Sequence, residues 1–469
     1  VIGSSFADTF KGDNTASNTF NGGMNLTTEV ENTNDENDTV DYSWLTGVTD
    51  KIIVDLSNTS SANVSVIVSN VVQGADTLVN IENIIGTSGN DTITGNSDSN
   101  NLNGGAGDDY FYVKDAAISG ENDVIIGGNN TSIGDSVDFS QIINSNYFVD
   151  VNLSSQKLLL KDLSNSNATV RDDSVSGIEN ITGTNNKDLI TGDDSNNSIN
   201  GASGTDTIYG GKGEDIIQGG ANSAGDASNV YEILDGGEGI DTIYGGTGND
   251  SIIGGDGDYT DSLYGEAGND IIKAGSGNDI VDGGIDNDEL WGESGSDLIY
   301  GGTGVDTIYG GDGADVIHGD DSLHSSTDGN DIIYGGDGSD TIYGGYGNDT
   351  ISGGANDDKI YGGIAGAIDV HDLTYGTEDT VSYSTSINGV TVDFVNNIAT
   401  GDGNDELYGI ENAIGSAYDD TFISKLTVSN RFDGGEGNEI YGDNISYSAV
   451  TVSNSVNDKV VIDLSTGAD

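Results

Sequence analysis

The sequence contains no cysteine and no proline, and only 13 of its 469 residues are lysine or arginine. The absence of cysteine excludes a disulfide framework. The formal net charge of −67 argues against nucleic acid and anionic membrane partners, because both would repel the chain. No hydrophobic run approaches the length of a transmembrane helix, and the residues from Val1 onward do not resemble a signal peptide. We therefore expect no membrane insertion.

Glycine and acidic residues are abundant instead, with 74 glycines and 80 aspartates and glutamates. Acidic chains with few large apolar residues are often disordered. Here the acidic residues recur on a fixed period, which favours a folded state that binds metal. Three consecutive nine-residue blocks, residues 292–300, 301–309 and 310–318, show the pattern Gly-(Gly)-x-Gly-x-Asp-x-U-x, where U is a large apolar residue.

Each block divides into a turn and a strand. The glycines allow positive φ, so the turn can curl and aim its carbonyl oxygens inward. Asp306 then adds a carboxylate, and residues 307–309 are predicted to form a three-residue strand with Ile308 pointing inward. Two blocks complete one coil, so we expect Asp306 to lie above Asp288. Stacked carboxylates repel one another unless a cation lies between them, and hard oxygen ligands in a flexible loop suit Ca²⁺.

The uninterrupted array resembles the nonapeptide repeats of the RTX (repeats-in-toxin) family of calcium-binding proteins. The resemblance implies an all-β fold, a parallel β-roll or β-helix-like solenoid, that binds several Ca²⁺ ions. It also implies export by type I secretion with an uncleaved C-terminal signal, which this sequence does not display. Asn100, Asn197 and Glu439 replace the expected aspartate, which argues against a metal at those turns. The predicted metal ligands are Asp8, Asp91, Asp109, Asp188, Asp206, Asp215, Asp241, Asp250, Asp261, Asp270, Asp279, Asp288, Asp297, Asp306, Asp315, Asp331, Asp340, Asp349, Asp358 and Asp420.

A second, longer repeat alternates with the blocks, and we call each copy a cassette. Each copy opens with a related six-residue segment and continues with a strand, and the first three copies then reach an Ile-Glu-Asn triplet. The alternation of apolar and polar residues predicts β-strands that cover or extend the roll. The openings are residues 38–43, 135–140, 379–384 and 443–448, and the triplets are residues 81–83, 178–180 and 410–412.

The repeats predict six divisions of the chain. Because both ends fall inside a cassette, we expect a segment of a longer tandem-repeat polypeptide, with a purification fragment as the alternative. The divisions are residues 1–37, the end of a preceding cassette with short RTX turns; 38–113, a β cassette plus a short β-roll; 114–200, a second β cassette; 201–371, the main RTX β-roll; 372–442, a third β cassette; and 443–469, the start of a fourth.

The predicted core of the roll is a file of aliphatic residues, one for each strand. Such a core cannot by itself offset the ordering entropy of so many glycines and the repulsion of so many carboxylates. We therefore hypothesise that folding is coupled to calcium, so that the chain stays unfolded in the cytosol and folds outside the cell. The inward positions are Ile208, Ile243, Ile252, Leu263, Ile272, Ile299, Ile308, Ile317, Ile333, Ile342 and Ile360.

Tyrosine often occupies the outward position that follows the inward aliphatic residue. Tyr343 and Tyr361 are 18 residues apart, so the period predicts that they stack on one face of the roll. One interpretation is a contact stripe for a neighbouring chain or a glycan. The other is an aromatic ladder that only stabilises the sheet.

Catalysis finds little support. The histidines are His318, His324 and His371, and none lies in a metalloprotease or Ser-His-Asp pattern. We therefore predict that the chain is not an enzyme. The favoured function is a secreted, calcium-dependent structural protein of a bacterial surface, in a surface layer, a matrix filament or an adhesin, whose partners are copies of itself and cell-surface glycans. The alternatives are the calcium-folding secretion module of an exported enzyme or toxin, and a module that binds glycans or ice.

Overall fold

The computed structural model describes most of the chain and divides it into two compact units, Val1–Ile299 and Tyr300–Asp469. The described residues form β-strands, apart from one short 3₁₀ helix, Leu163–Asn165, so the all-β prediction is confirmed. The domain divisions stay a prediction. The described residues are 2, 8–11, 19–21, 38–57, 62–68, 71–96, 98–114, 122–130, 133–221, 231–320, 329–363, 378–424, 430–435 and 443–446.

The strands of the first unit are short, and most have three to six residues. They are β1 Thr9–Lys11, β2 Thr19–Asn21, β3 Thr39–Asp41, β4 Lys51–Asp55, β5 Ala62–Val68, β6 Val71–Val79, β7 Asn83–Ile85, β8 Thr92–Thr94, β9 Asn101–Ala106, β10 Tyr110–Tyr112, β11 Val124–Asn129, β12 Ser136–Asp138, β13 Tyr147–Asn152, β14 Lys157–Asp162, β15 Ala168–Ser176, β16 Asn180–Thr182, β17 Leu189–Thr191, β18 Ser198–Asn200, β19 Thr207–Lys212, β20 Ile216–Ala221, β21 Glu232–Glu238, β22 Thr242–Thr247, β23 Asp250–Gly255, β24 Ser262–Ala267, β25 Ile271–Ser276, β26 Ile280–Ile285 and β27 Glu289–Ser294.

One further strand, β28 Leu298–Thr303, contains the boundary between the units. The strands that follow it are β29 Thr307–Asp312, β30 Val316–Asp320, β31 Ile332–Asp337, β32 Thr341–Tyr343, β33 Thr350–Ala355, β34 Lys359–Tyr361, β35 Thr380–Ser382, β36 Thr391–Asp393, β37 Ile398–Thr400, β38 Asn404–Tyr408, β39 Asn412–Ile414, β40 Thr421–Ile423, β41 Arg431–Asp433 and β42 Asn444–Ser446.

Consecutive strands of the arrays belong alternately to two parallel sheets. In one sheet β17 pairs with β19, with Ile190 opposite Ile208, and in the other β32 pairs with β34, with Ile342 opposite Ile360. Partners are therefore 18 residues apart, as two nine-residue blocks per coil predict. The predicted inward positions are fully buried, with 0 % exposure throughout. The file of aliphatic side chains between the two sheets is thus confirmed as the core of the arrays.

Many strands are longer than the three residues predicted from the block. β29 continues from Thr307 to Asp312, and its pairing with β31 runs through Gly311 opposite Gly336 to Asp312 opposite Asp337. The strand continues because the first two glycines of each turn still take part in the parallel ladder. The turn proper is correspondingly short.

The cassettes extend the same two sheets instead of covering them. Each adds an antiparallel hairpin pair, β4–β5–β6, β13–β14–β15 or β36–β37–β38. The first strand of each hairpin pair also has a parallel neighbour, as β13 has in β17, so the parallel stack continues past the insertion. The second cassette buries large side chains, including Phe139 and Leu158 at 0 % exposure.

Some predicted features lie outside the described residues. They include His324, His371, Glu439 and most of residues 443–469. Insertions at residues 258–260 and 320–327 interrupt the nine-residue spacing of the main array, and the first forms an exposed turn. The other, at 320–327, lies outside the described residues except for Asp320, which ends β30.

Candidate calcium sites

The turns of the arrays stack their aspartates in rows, and we call each such residue a rung. The Oδ1 of a rung accepts a hydrogen bond from the backbone N–H of the rung one coil earlier. Asp215 N–H donates to Asp241 Oδ1 at 2.8 Å, and Asp241 N–H donates to Asp261 Oδ1 at 2.8 Å. The same bond joins Asp340 N–H to Asp358 Oδ1 at 2.9 Å in the second unit. Each row therefore presents one ordered carboxylate per coil.

The other carboxylate oxygen of many rungs is buried and accepts no hydrogen bond. A buried carboxylate oxygen without a donor or a cation is costly, so each of these atoms indicates a missing positive partner. The rungs with such an Oδ2 atom include Asp109, Asp206, Asp215, Asp241, Asp270, Asp279, Asp340, Asp349 and Asp358.

A glycine five residues before most rungs of the arrays leaves the space that these oxygens face, although Ala274 takes this position before Asp279. A Cβ added to Gly344 would lie 2.5 Å from Asp349 Oδ2 and 2.6 Å from the carbonyl oxygen of Gly362, one coil further on. A carboxylate oxygen and a main-chain carbonyl oxygen therefore converge where any side chain larger than hydrogen would stand. This is a cradle of hard oxygen atoms, which suits Ca²⁺.

Burial of the rungs disfavours their charged form. It raises the pKa of Asp349 to about 9, with the neighbouring carboxylates of Asp331 and Asp379 adding to the effect. Burial likewise raises the pKa of Asp206 and of Asp358 to about 8. A divalent cation between two rungs would reverse this preference, because it stabilises the ionised carboxylates directly.

The donor set differs from that of a compact metal centre. Among the described residues, no group of three or more His, Cys, Asp or Glu side chains converges on one point. Each turn contributes a single carboxylate and main-chain oxygens, so a bound ion would draw its ligands from two coils. The orphaned oxygens, the glycine cradles and the hard donor set all fit calcium.

Three predicted ligands at the ends of cassettes have a different environment. The backbone N–H of Thr87 donates to Asp91 Oδ2 at 2.6 Å, while Ile52 N–H donates to Oδ1 at 2.7 Å. Asp188 and Asp420 have the same pair of donors. Their partners are Thr184 N–H and Val149 N–H for Asp188, and Ser416 N–H and Val390 N–H for Asp420. Both oxygens of these carboxylates thus already accept protein hydrogen bonds.

The remaining predicted ligands also occupy rungs. Asp8 N–H donates to Asp38 Oδ1 at 2.7 Å, so the first row includes a cassette opening. Glycine cradles with an aspartate Oδ2 and a carbonyl of the next coil lie beside the rungs at Asp250, Asp261, Asp306, Asp315 and Asp331. Asp288 and Asp297 accept the N–H of the rungs Asp270 and Asp279.

Sequence reasoning missed several rungs. The opening residues Asp135 and Asp379 lie in the rows, because Asp109 N–H donates to Asp135 Oδ1 and Asp349 N–H donates to Asp379 Oδ1. Glu232 replaces an aspartate, and its buried Oε2 accepts no hydrogen bond. The residues Ile-Leu-Asp-Gly-Gly after Glu232 keep the spacing of the block, and this spacing could have identified Glu232 as a rung. An insertion had lengthened its separation from Asp206 to 26 residues.

Asparagine takes the rung position in the coil that follows each cassette. The Nδ2 of Asn100 donates to the carbonyl oxygen of Glu82 at 2.9 Å, and that of Asn197 donates to the carbonyl oxygen of Glu179 at 3.2 Å. In the third cassette Asn430 Nδ2 donates to the carbonyl oxygen of Glu411 at 2.7 Å. These side chains are neutral and hydrogen-bonded, as expected where no metal is predicted.

The outward aromatic residues of the second unit form a stacked ladder. The ring centroids of Tyr300 and His318 are 4.9 Å apart, and those of His318 and Tyr343, Tyr343 and Tyr361, and Tyr361 and Tyr408 are each 4.8 Å apart. The predicted stacking of Tyr343 on Tyr361 is confirmed. His318 is a member of this ladder, with its ring faces covered by tyrosines.

Comparison with protein families identifies the repeats. The model of the RTX calcium-binding nonapeptide repeat matches residues 80–113, 174–208, 182–217, 201–223, 232–260, 257–290, 291–322 and 325–360. The repeats of this chain belong to the RTX calcium-binding nonapeptide-repeat family. RTX repeats bind Ca²⁺, so an RTX chain with this many repeats binds several ions. RTX repeats are typical of secreted bacterial proteins.

No curated protein matches this RTX chain. Among solved structures, the crystal structure of the extracellular lipase LipA from Serratia marcescens matches with 15 % sequence identity and a TM-score of 0.16. The match covers 72 % of this chain and 42 % of the lipase chain, so it spans less than half of the lipase. A likeness at this level carries no argument about function.

Proposed function

We propose that this chain is an extracellular structural protein of a bacterial surface, in a surface layer, matrix filament or adhesin, whose arrays become rigid when they bind calcium. The observation that carries the proposal is the alternation of arrays and cassettes within continuous sheets. In each unit, parallel pairing continues from array to cassette past the antiparallel hairpins that the cassettes insert. Such a stack suits a stiff spacer, because every coil contacts only its neighbours.

The ligands we assign to calcium are the rung carboxylates and the main-chain oxygens of their glycine cradles. The best supported are the rungs with an orphaned buried oxygen, such as Asp241, Asp270 and Asp349. Each ion would neutralise two of the carboxylate charges that otherwise repel one another along a row. This is the basis for coupling the folding of the arrays to calcium.

A structural role also agrees with the chemistry of the surface. Among the described residues, the only histidine is His318, and both faces of its ring are covered by tyrosines. The described part of the chain has no helix long and apolar enough to cross a membrane. We propose that the chain is not an enzyme and that its main partner is another copy of itself.

The stacked tyrosines favour a protein partner over a glycan. Sugars bind aromatic residues on the ring face, and the ring faces of His318, Tyr343 and Tyr361 are occupied by their neighbours. Only ring edges and phenol hydroxyls remain for a partner along the ladder. These suit the polar edge of a second chain.

The experiment is a calcium titration of chelator-treated protein, followed by circular dichroism and light scattering. We expect a steep gain of β-structure and then growth of large particles, because folded arrays present surfaces for assembly. Magnesium at the same concentration is the control and is expected to produce neither change. A calcium-dependent transition that ends in a compact monomer would reject the assembly role and favour a secretion module.

A further inference from the structure

The rungs are of two kinds, which differ in the backbone conformation of the residue four positions before the rung. Before every rung listed above with an orphaned Oδ2, this residue has positive φ. Gly237 precedes Asp241 with φ 104°, and Gly336 precedes Asp340 with φ 115°. Even non-glycine residues adopt the conformation here, as Ala202 with φ 76° does before Asp206. With the backbone turned in this way, no N–H from that residue reaches the carboxylate.

The rungs that follow a cassette have an ordinary backbone at the same place. Thr184 is outside the set of residues with positive φ, and its N–H donates to Asp188 Oδ2 at 2.6 Å. In the same way, the N–H of Asp193 donates to Oδ1 of Asn197, four residues later, at 2.8 Å. The oxygen that faces the cradle in the arrays is therefore occupied by a backbone amide.

All five such rungs show the same contact. The donor is always the backbone N–H four residues before the rung, and the donor–rung pairs are Thr87–Asp91, Asn96–Asn100, Thr184–Asp188, Asp193–Asn197 and Ser416–Asp420. The second glycine of the block is absent from all five, although Ala202 and Glu266 show that its absence alone does not close a rung.

The last rung of each cassette is closed by a side chain instead. Asp405 Oδ1 accepts the N–H of Asp358 at 3.2 Å, as in the arrays, but its Oδ2 accepts the hydroxyl of Tyr383 at 2.7 Å. Asp76 Oδ2 likewise accepts the hydroxyl of Tyr42 at 2.9 Å. These four side chains are at most 2 % exposed.

The second cassette has Phe139 where the other two have these tyrosines, so it lacks the hydroxyl. There Arg171 Nε donates to Asp173 Oδ2 at 2.7 Å, and Arg171 Nη2 lies 2.6 Å from the same atom and 3.8 Å from Asp123 Oδ2. The guanidinium thus lies beside two successive rungs, since Asp123 N–H donates to Asp173 Oδ1. A cation of the protein stands where the arrays would need a metal.

We infer that protein donors replace calcium at both borders of every cassette. A backbone amide closes the rungs after the cassette, and the side chain of Tyr42, Arg171 or Tyr383 closes the last rung of the cassette itself. Calcium rows are confined to the arrays and to the opening rung Asp135, whose buried Oδ2 has no donor, and Asp91, Asp188 and Asp420 belong to the rungs that bind no ion. The inference rests on calcium binding by the repeats and not on the surface role proposed above.

The first test opens a closed rung. In Thr184→Gly the turn can adopt positive φ and withdraw its amide from Asp188, so we expect one additional Ca²⁺ per chain in equilibrium dialysis. Thr184→Val is the matched control, because valine removes the hydroxyl while its β-branched side chain disfavours positive φ and keeps the backbone amide in place. It should bind the wild-type number of ions. An unchanged count in Thr184→Gly, or the same gain in both variants, would overturn the inference.

The second test replaces Arg171, the donor that closes the last rung of the second cassette, with a tyrosine hydroxyl at position 139. Hydrogen exchange of the full chain in chelator should show the segment 168–176 protected, while the array segment 242–267 exchanges fast. Arg171→Met should make the protection of 168–176 depend on calcium, and Phe139→Tyr in the same chain should restore protection in chelator. Fast exchange of 168–176 in wild-type chelator samples would overturn the inference. So would an Arg171→Met chain with unchanged protection, or one that Phe139→Tyr does not rescue.

Discussion

The main array buries one aliphatic side chain for each strand, such as Ile243 or Ile308. The second cassette buries Val149 and Leu158 within a three-stranded antiparallel hairpin pair, and Phe139 directly after β12. The buried carboxylates of the two regions also differ, in whether the protein supplies donors to their oxygens. Rungs of the array such as Asp241 keep a buried oxygen without a donor, whereas Asp173 of the cassette is paired with Arg171, and only the opening rung Asp135 among the described residues of this cassette keeps such an oxygen. We therefore expect the same parallel coil to be stabilised by metal in one region and by apolar burial and internal donors in the other.

The largest expected effect is that of removing calcium. The array would then hold its buried carboxylates without neutralisation, whereas the cassette loses none of its donors. Limited proteolysis in chelator should cut within residues 236–361 and spare residues 133–182, and circular dichroism should show a partial loss of β-structure. Equal cleavage of both regions would remove the distinction between them.

A smaller effect is expected from a cavity in the cassette. Leu158→Ala removes a side chain with 0 % exposure and should lower the free energy of unfolding by about 2–5 kcal/mol. Because apolar burial and not metal holds this region, urea titrations should give the same loss in calcium and in chelator. Leu163→Ala, at a position with 42 % exposure, is the control and should leave stability nearly unchanged. A Leu158→Ala defect that calcium abolishes would contradict the comparison.

A substitution in a glycine cradle should act only on the array. In Gly344→Ala the new Cβ would lie 2.5 Å from Asp349 Oδ2, so it should cost about 1–3 kcal/mol and remove at least one bound calcium ion. Isothermal titration with calcium measures both the count and the affinity. Gly363→Ala is a close control, because nothing lies within 4 Å of a Cβ added there. Equal behaviour of the two variants would count against the cradle.

The smallest expected effect is that of pH. Burial raises the pKa of Asp349 to about 9 and that of Asp206 to about 8, from an ordinary value of 3.8. The folded, metal-free coil therefore binds more protons than the unfolded chain, so its stability rises as the pH falls from about 9 towards 4. Circular dichroism in chelator should show more β-structure at about pH 5 than at about pH 8. Calcium needs the ionised form, so its affinity should fall over the same range.

Much of the fold could be predicted from periodicity. The spacing of aspartate, aliphatic and glycine residues predicted the two-sheet coil. It also predicted the burial of Ile243 and Ile342, because alternate side chains of a strand point to opposite faces of the sheet. The lengths of the strands were underestimated, because hydrogen bonding through glycines such as Gly311 depends on the neighbouring coil.

The candidate sites were harder to predict in full. Aspartates in regular blocks could be placed on rungs by counting residues, but insertions hid Glu232 and made Asp135 look like part of a separate motif. The hydrogen bond from Tyr383 to Asp405 in the third cassette and the ion pair of Arg171 with Asp123 in the second join segments that are far apart in the sequence. No spacing rule anticipates such contacts, because they depend on how the hairpins return to the stack.

The exposed turn at residues 258–260 has a consequence for how such chains vary in length. The rungs on either side of it, Asp241 and Asp261, are 20 residues apart, yet Asp241 N–H still donates to Asp261 Oδ1 at 2.8 Å. Hydrogen bonds between rungs therefore keep successive coils in register, even where the number of residues between the rungs differs from 18. In genetic terms, we expect short in-frame insertions at this turn to leave the stack intact, which makes it a suitable place to graft a foreign epitope or label.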